Sequence, residues 1–451
     1  MLRYSVVLAR LLADYGMVIV LALLCAFFSF ATYTEQHPTG AEAGPELAAS
    51  ILSQSGKSAR VLVAVPNQPD AVAFADALQT ALANAGATVV ASVKGEPKDA
   101  RAALQAAAST GKLDIIAGTQ ASAGWLVFAD LATDFPALGT PRLVQPQTYR
   151  WPNFLKRDNL LNIANQIAVI AIVAIGMTMV IIGGGIDLSV GSLIALAAVL
   201  AALFIREFAG AQQATALGMT LACVAAVLIA GGAGAISGAM VTVFHLPPFI
   251  VTLAMMLVAS GAAYLLTHGQ SVYQVPDSFV WLGRGAGFLG LPNAVLLMAL
   301  LYGVAHLVMS RTVLGRYLYA VGGNRLAARY SGVPVRRVLL VSYAVSGLLA
   351  GVGGVVLASQ LKSGSPTFGQ MYELYVIAAV VVGGASLNGG TGRMFGTLIG
   401  AFIIAVIQNG MNLMNVESYT QKVVLGLVIL GAVLLDLLRH RGWKLQLTAT
   451  E

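Results

Sequence analysis

Charge is scarce in this chain: 10% of its 451 residues are Asp, Glu, Lys or Arg, against roughly 25% in an ordinary soluble domain. With 58% apolar residues and 49 glycines, the deficit indicates a polytopic membrane protein, since glycine is commoner in membrane helices than in soluble ones. Cysteine is almost missing. Cys25 and Cys223 both fall in apolar segments, so neither a disulfide framework nor a thiolate metal cluster is indicated. Histidine is also rare, and none of His37, His245, His268, His306 and His440 pairs with another at metal-ligand spacing. No serine motif resembles a nucleophile elbow. The tetrapeptide Ser55–Ser58, "SGKS", resembles the end of a phosphate-binding loop, but the glycine required five residues before Gly56 is Ile51, and the segment precedes a strand pattern instead of following one. No other Walker-type loop occurs, and no G-x-G-x-x-G follows a strand; ATP with Mg, if it drives this protein, is expected on a partner chain.

What is present is a series of apolar runs of spanning length, about 20 residues each. They are Tyr15–Tyr33, Ile163–Ile182, Leu188–Ile205, Ala216–Phe244, Phe249–Thr267, Pro292–Met309, Val338–Ala358, Leu374–Gly384, Phe395–Asn412 and Val423–Leu438. About ten transmembrane helices are expected. The first run also has a weak small-x-small cleavage pattern at Ser29 and Ala31; its length and the bulky Phe27, Phe28 and Phe30 favour an uncleaved helix. The positive-inside rule orients the set. Arg311, Arg316, Arg325, Arg329, Arg336 and Arg337 lie in one loop without an acid, and Arg439, Arg441 and Lys444 lie in the tail. Both termini are then cytoplasmic, and much of the net charge of +7 is a topology signal.

The polar stretch Thr34–Asn159 is then extracytoplasmic. Ala59–Val65, "ATVVASV" and "LDIIAG" read as strands, and Asp70–Gly86 and "PKDARAALQAAASTG" as helices, an alternation that argues for a small parallel α/β unit. Glu35–Ser58 reads as a linker or an exposed helix.

Four features carry functional interest. In "IIGGGIDLSVGS", Gly183, Gly184 and Gly185 end one run, and Asp187, Ser189 and Gly191 lie at the start of the next. Asp187 with Ser189 suits N-capping of a helix starting near Leu188; a capped turn and a broken helix beside a translocation path are compatible readings. "GGASLNGGTG", Gly383 to Gly392, repeats part of this pattern when Gly184 is aligned with Gly383, either a decayed internal repeat or chance. In the Arg-rich loop, Gly322 and Gly323 suit a turn, Asn324 a cap, and Leu326, Ala327, Ala328 and Tyr330 a short helix; Ser331 and Gly332 follow, with Gly332 ending it before Pro334. Its adjacent alanines offer a low-relief face for a partner. Finally, Asn162, Asn165 and Gln166 share one helix face, and Gln408 and Asn412 another; interhelical hydrogen bonding and a path for a neutral polyhydroxylated solute both fit.

"GMTMVIIGGGIDLSVGSLIAL", "AVGGNRLAARYSGV" and "VVVGGASLNGGTGRMFGTLIGAFIIAVIQNGM" resemble the bacterial ribose-type ABC sugar permeases, whose members serve ribose, xylose, galactofuranose and autoinducer-2 uptake. The resemblance covers roughly residues 152–438. It implies an inner-membrane importer subunit with a second permease subunit, identical or related, a cytoplasmic ABC ATPase and an extracytoplasmic solute-binding protein. It also implies that Gly322–Gly332 is the ATPase-coupling element. The expected domains are 1–33, cytoplasmic N-terminus and first helix; 34–159, the insert, with its α/β unit over about 57–140; 160–438, the permease domain; and 439–451, a cytoplasmic tail. The insert departs from the family pattern and is similar to part of one lobe of a type I periplasmic sugar-binding protein. It could dock or sense a separate binding protein, or be a stabilising appendage. A secondary transporter or channel acting alone is the alternative function, disfavoured by the few carboxylates in the spans; a membrane-anchored sensor using the insert would not need so many spans.

Overall fold

The computed structural model describes residues 2–441. The tail expected over 439–451 lies, from residue 442 onward, outside the described residues. Two compact units emerge, Met1–Thr32 with Asn153–Glu451, and Tyr33–Pro152. The insert thus ends at Pro152, whereas the sequence suggested 159. Residues 156–159 are polar, yet Asn153–Leu155 forms a 3-10 turn with Phe154 buried, and Arg157 already begins a long apolar helix. The N–H groups of Asn153 and Phe154 donate to the Thr32 carbonyl (2.9 Å) and hydroxyl (3.1 Å).

Helix α1 (Leu2–Ala31) stops short of Tyr33, which opens strand β1 (Tyr33–Gln36). The insert continues as α2 (Ala43–Ser55), β2 (Arg60–Val65), α3 (Pro69–Asn84), β3 (Thr88–Lys94), α4 (Pro97–Thr110), β4 (Ile115–Gly118), β5 (Arg142–Val144) and β6 (Tyr149–Pro152). Strands β1 and β6 pair antiparallel, and the others form a parallel sheet in the order β3-β2-β4-β5. The run "RVLVAV" has no polar alternation because helices cover both sheet faces. Val61, Val63 and Val65 join Leu47, Phe74 and Leu78 of α2 and α3, while Leu62 and Ala64 join Leu104 of α4. Residues 35–58 are therefore neither linker nor exposed helix. Leu47, Ala48 and Ile51 form a buried stripe on α2, and Gly44 lets it approach α3: a Cβ there would lie 2.6 Å from Leu78 N.

The helical unit resumes with α5 (Arg157–Ile182), α6 (Val190–Phe208), α7 (Ala216–Val243), α8 (Pro248–Thr267) and α9 (Asn293–Arg311). It continues with α10 (Val313–Gly323), α11 (Arg325–Tyr330), α12 (Val335–Leu361), α13 (Tyr372–Val382), α14 (Met394–Leu413) and α15 (Ser418–Arg441). Seven of these, α5 to α9, α12 and α14, are long and apolar enough to cross a membrane; Gly16–Ala31, Tyr372–Val382 and Ser418–Gly431 are shorter apolar stretches. Helix α5 is apolar all round because it is central: 89% of its apolar window is buried, and 78% of that of α6, against 28% and 22% for α7 and α8. The outer pair therefore presents apolar side chains to lipid or a partner. Helix α12 packs against α7 through small residues, as membrane helices do; a Cβ on Gly234 would sit 3.0 Å from Gly347 Cα, and one on Gly351 2.8 Å from Val227 Cα.

Helix α13 has 11 residues and rises about 16 Å, roughly half the hydrocarbon thickness. It is preceded by non-helical backbone from Lys362 (φ 53°) to Met371 (φ 67°). Within it, Gly364 exchanges hydrogen bonds with Val272 (2.8 and 2.9 Å), and a Cβ on Gly364 would lie 2.5 Å from the Ala198 carbonyl oxygen. This stretch is packed on α6, and its Ser363, Gly364 and Phe368 N–H groups donate to the Ala358, Val272 and Ser365 carbonyls.

Candidate functional site

The glycine-rich turns after α5 and α13 are the same structure. The N–H groups of Gly183, Gly184 and Gly185 donate to Met179, Ile181 and Val180; those of Gly383, Gly384 and Ala385 donate to Ala379, Val381 and Val380. Gly184 (φ 79°) and Gly384 (φ 90°) occupy the left-handed position that closes a helix with glycine. The correspondence is Gly183 with Gly383 and Gly184 with Gly384, one residue away from the alignment suggested by sequence. The match of three glycines and one leucine was misleading because the loop after the second turn is longer: α6 begins at Val190, α14 at Met394.

The first turn meets the Gly389–Gly390 loop that follows the second, and both meet the end of α10. Gly390 N–H donates to the Ile182 carbonyl (2.9 Å), capping an oxygen that α5 itself leaves unpaired. Gly322 lies against both: a Cβ there would overlap the Ile182 carbonyl oxygen and sit 2.5 Å from Gly390 N, whereas one on Gly323 would meet nothing within 4 Å. The Tyr319 hydroxyl donates to the Gly392 carbonyl (2.8 Å). Gly322 and Gly323 are thus not a turn; they close α10, and Gly322 is needed for close approach. Asn324 Oδ1 accepts from Ala327 N–H (3.0 Å) at the start of α11, and Gly332 (φ 80°) ends it. The adjacent alanines diverge. Ala328 is 5% exposed and packs in the core, while Leu326 and Tyr330 are 67% and 88% exposed. The outward face of α11 is therefore built on Leu326, Ala327 and Tyr330, and Ser331 is exposed beyond them.

Asp187 is fully buried, but it is not the N-cap. Helix α6 starts at Val190, and Ser189 stands at its cap position without a side-chain capping bond. Asp187 Oδ1 accepts from Ser189 N–H (3.0 Å) and Oγ (2.6 Å), a side-chain turn just ahead of the helix, while Oδ2 accepts from Ser346 Oγ of α12 (2.8 Å). The carboxyl ties the α5–α6 turn to α12. Ser346 was missed because 159 residues separate it from Asp187; its only sequence signal is that it is one of several serines in an apolar run. Gly191 packs on the segment before α13: a Cβ there would overlap the Glu373 carboxylate and lie 2.6 Å from the Gly369 carbonyl oxygen.

The amides separate into two groups. Gln166 and Gln408 face a cavity of about 320 Å³, with Gln360, Tyr372 and Tyr375 beside them and apolar walls from Ile167, Ile170 and Leu357. Asn165 instead donates to the Gly283 carbonyl (3.0 Å), and Asn412 accepts from Gln421 (2.7 Å). The cavity's amides and phenols suit hydroxyl-rich solutes, and its size falls in the range of small-molecule sites. Gln360 and the tyrosines lie at the two ends of the irregular 362–371 stretch, a juxtaposition invisible to helix periodicity. Among the described residues no three His, Cys, Asp or Glu side chains are placed to hold a metal ion.

Residues 159–433 match the profile of a family described as "Branched-chain amino acid transport system / permease component". The chain belongs to this permease family. The ribose import permease protein RbsC of Escherichia coli (strain K12) is 44% identical over 290 residues, 63% of this chain and 87% of its own length. RbsC of Bacillus subtilis (strain 168) is 42% identical over 303 residues, 67% and 91%. The D-allose transport system permease protein AlsC of Escherichia coli (strain K12) is 36% identical over 283 residues, 63% and 84%. No solved structure matches the permease. The family match begins at residue 159 and so leaves the insert outside it.

Proposed function

We propose that the permease works as the membrane-spanning subunit of an ATP-driven ABC importer for a sugar, in the bacterial inner membrane. Its relatives are named for ribose and D-allose. It is a transporter subunit and not an enzyme; hydrolysis belongs to a separate ATPase chain, and a solute-binding protein delivers the cargo. A second permease subunit completes the path. Ten crossings with both termini cytoplasmic account for the chain, with the 362–371 stretch and the short α13 together making one of them. Irregular backbone is tolerated at membrane depth where it is buried in protein or lines a cavity, and broken helices line transport paths.

The observation that carries the mechanism is the meeting of α10 with the end of α5 and with the Gly389–Gly390 loop that follows α13. An ATPase moving α11 would move Gly322 against the end of α5 and against Gly390 in the loop that follows α13; the opposite ends of α5 and α13 flank the glutamine-tyrosine cavity. Coupling then requires α11 to contact the ATPase differently in its two states. Leu326, Ala327 and Tyr330 are its contact face. The insert, with a parallel sheet covered on both faces, docks or orients the binding protein.

Uptake by vesicles with and without the ATPase chain and ATP tests the reading: uptake occurs only with both, and equal uptake without them would make the chain a secondary carrier. Gln408→Leu lowers uptake while leaving the amount of inserted protein unchanged; full uptake would remove the cavity from the path. Deleting residues 42–145 weakens delivery by the binding protein, and unchanged uptake and affinity would reduce the insert to an appendage.

A further inference from the structure

A second cavity, about 610 Å³, lies beside the coupling element, at the junction of α7, α11 and α12. Arg325, Arg329, Arg336, Arg337 and His245 line it, and its lining contains no Asp or Glu. Among the described residues none of the four arginines takes part in an ion pair. Four guanidinium groups around one basin repel each other unless an anion neutralises them. Arg336 and Arg337 also stand in the first turn of α12, which has no acid there; cations at a helix N-terminus are unfavourable, and an anion between them would relieve both effects.

The rest of the lining says which anion. Val241, Val335 and Leu339 make one wall apolar. Thr242 and His245 face the basin, while the intervening Val243 and Phe244 are 52% and 63% exposed. They end α7, one of the two outward-facing helices. A cationic basin with an apolar rim, at the end of an outward-facing apolar helix and on the side of the chain that carries the Arg-rich loop, matches a phospholipid: phosphate among the arginines, acyl chains along α7. Basic pockets between helices on the cytoplasmic side are suited to anionic headgroups, and guanidinium forks bind phosphate oxygens in pairs.

We propose that this basin is a binding site for an anionic glycerophospholipid, which sits against the coupling element. It goes beyond the transport reading, and either can fail without the other.

The test uses the full-length protein, purified in mild detergent and examined by native mass spectrometry with phosphatidylglycerol or phosphatidylcholine. Wild type retains phosphatidylglycerol in preference to phosphatidylcholine. Arg336→Gln with Arg337→Gln lowers that retention about tenfold or more, whereas Arg311→Gln with Arg316→Gln, on the same side but outside the basin, leaves it unchanged. Equal retention of the two lipids by wild type, or full retention by the Arg336/Arg337 variant, overturns the proposal. Displacement of phosphatidylglycerol by millimolar inorganic phosphate also overturns it, because the basin would then be a free-anion site. Should the variant fail to fold, photo-crosslinking of phosphatidylglycerol to wild type decides: label within residues 241–245 or 325–339 supports the site, and label elsewhere refutes it.

Discussion

Gly322 and Gly323 are adjacent, alike in sequence and different in surroundings. Replacing each with alanine separates contact from composition. At Gly323 the new methyl meets nothing within 4 Å, and the helix end gains a better helix former. At Gly322 it overlaps the Ile182 carbonyl oxygen and lies 2.5 Å from Gly390 N. Both obstacles are backbone, so no side-chain rotation relieves them. Overpacking costs about 1–3 kcal/mol. Separating Gly390 N–H from the Ile182 carbonyl costs about 1–3 kcal/mol more if that oxygen stays buried. Helix propensity returns about 1 kcal/mol. The net penalty of about 1–5 kcal/mol falls on the state in which the end of α5, the Gly389–Gly390 loop and α10 are joined. Even its lower end shifts a coupled equilibrium about fivefold. The assay is solute-stimulated ATP hydrolysis by the permease assembled with its ATPase and binding protein, with inserted protein measured alongside. Gly322→Ala loses at least about fivefold of the stimulation, and Gly323→Ala keeps it. Equal stimulation in the two variants would refute the claim that this contact carries the coupling.

Ala327→Asp abolishes the same stimulation without impairing insertion, whereas Ala328→Asp, placing a carboxyl in the core, lowers the thermal unfolding midpoint; the reverse pattern would show that the outward face of α11 is misassigned. Asp187→Ala leaves the donors of Ser189 and Ser346 unpaired and destabilises the permease by about 1–3 kcal/mol for each buried group, while Asp187→Asn, keeping an acceptor, costs less; denaturant titration of the two variants checks the order. A hydrogen bond from Lys362, together with its charge, holds the Asp277 carboxyl below its ordinary value. The sign follows from a depressed native pKa: the stability difference between wild type and Asp277→Asn is full above about pH 4, disappears as acidification passes the native value, and shrinks with added salt, as melting curves across pH 2–7 would register. Residues 33–152 alone fold as a soluble α/β domain with a cooperative melt, and Leu62→Ala, at a fully buried site, costs that domain about 2–5 kcal/mol; a non-cooperative melt in the parent domain would contradict its two-sided core.

The order of elements was legible because hydrophobic burial is written along the chain. Runs such as Ala216–Phe244 and Phe249–Thr267 became α7 and α8 within a residue or two, and "ARVLVAV" became β2. Local capping was legible too, since Asn324 and Gly332 act on backbone groups a few residues away. Other features were hidden for equally physical reasons. Strand β5 has three residues and no alternation, so only its pairing with β4 makes it a strand. Ala327 and Ala328 are chemically identical, and the direction of α11 alone decides which is buried. The register of the two glycine turns depends on which residue takes the left-handed conformation, not on how many glycines align. Asp187 meets Ser346, Gly322 meets Ile182, and Gln166 and Gln408 face one cavity across long separations in the chain. Sequence alone determined which runs of this permease are apolar and, to within a few residues, where its long helices lie; the tertiary structure decided which of their ends touch. Close approach of backbones depends on the path of distant helices, which no local pattern records.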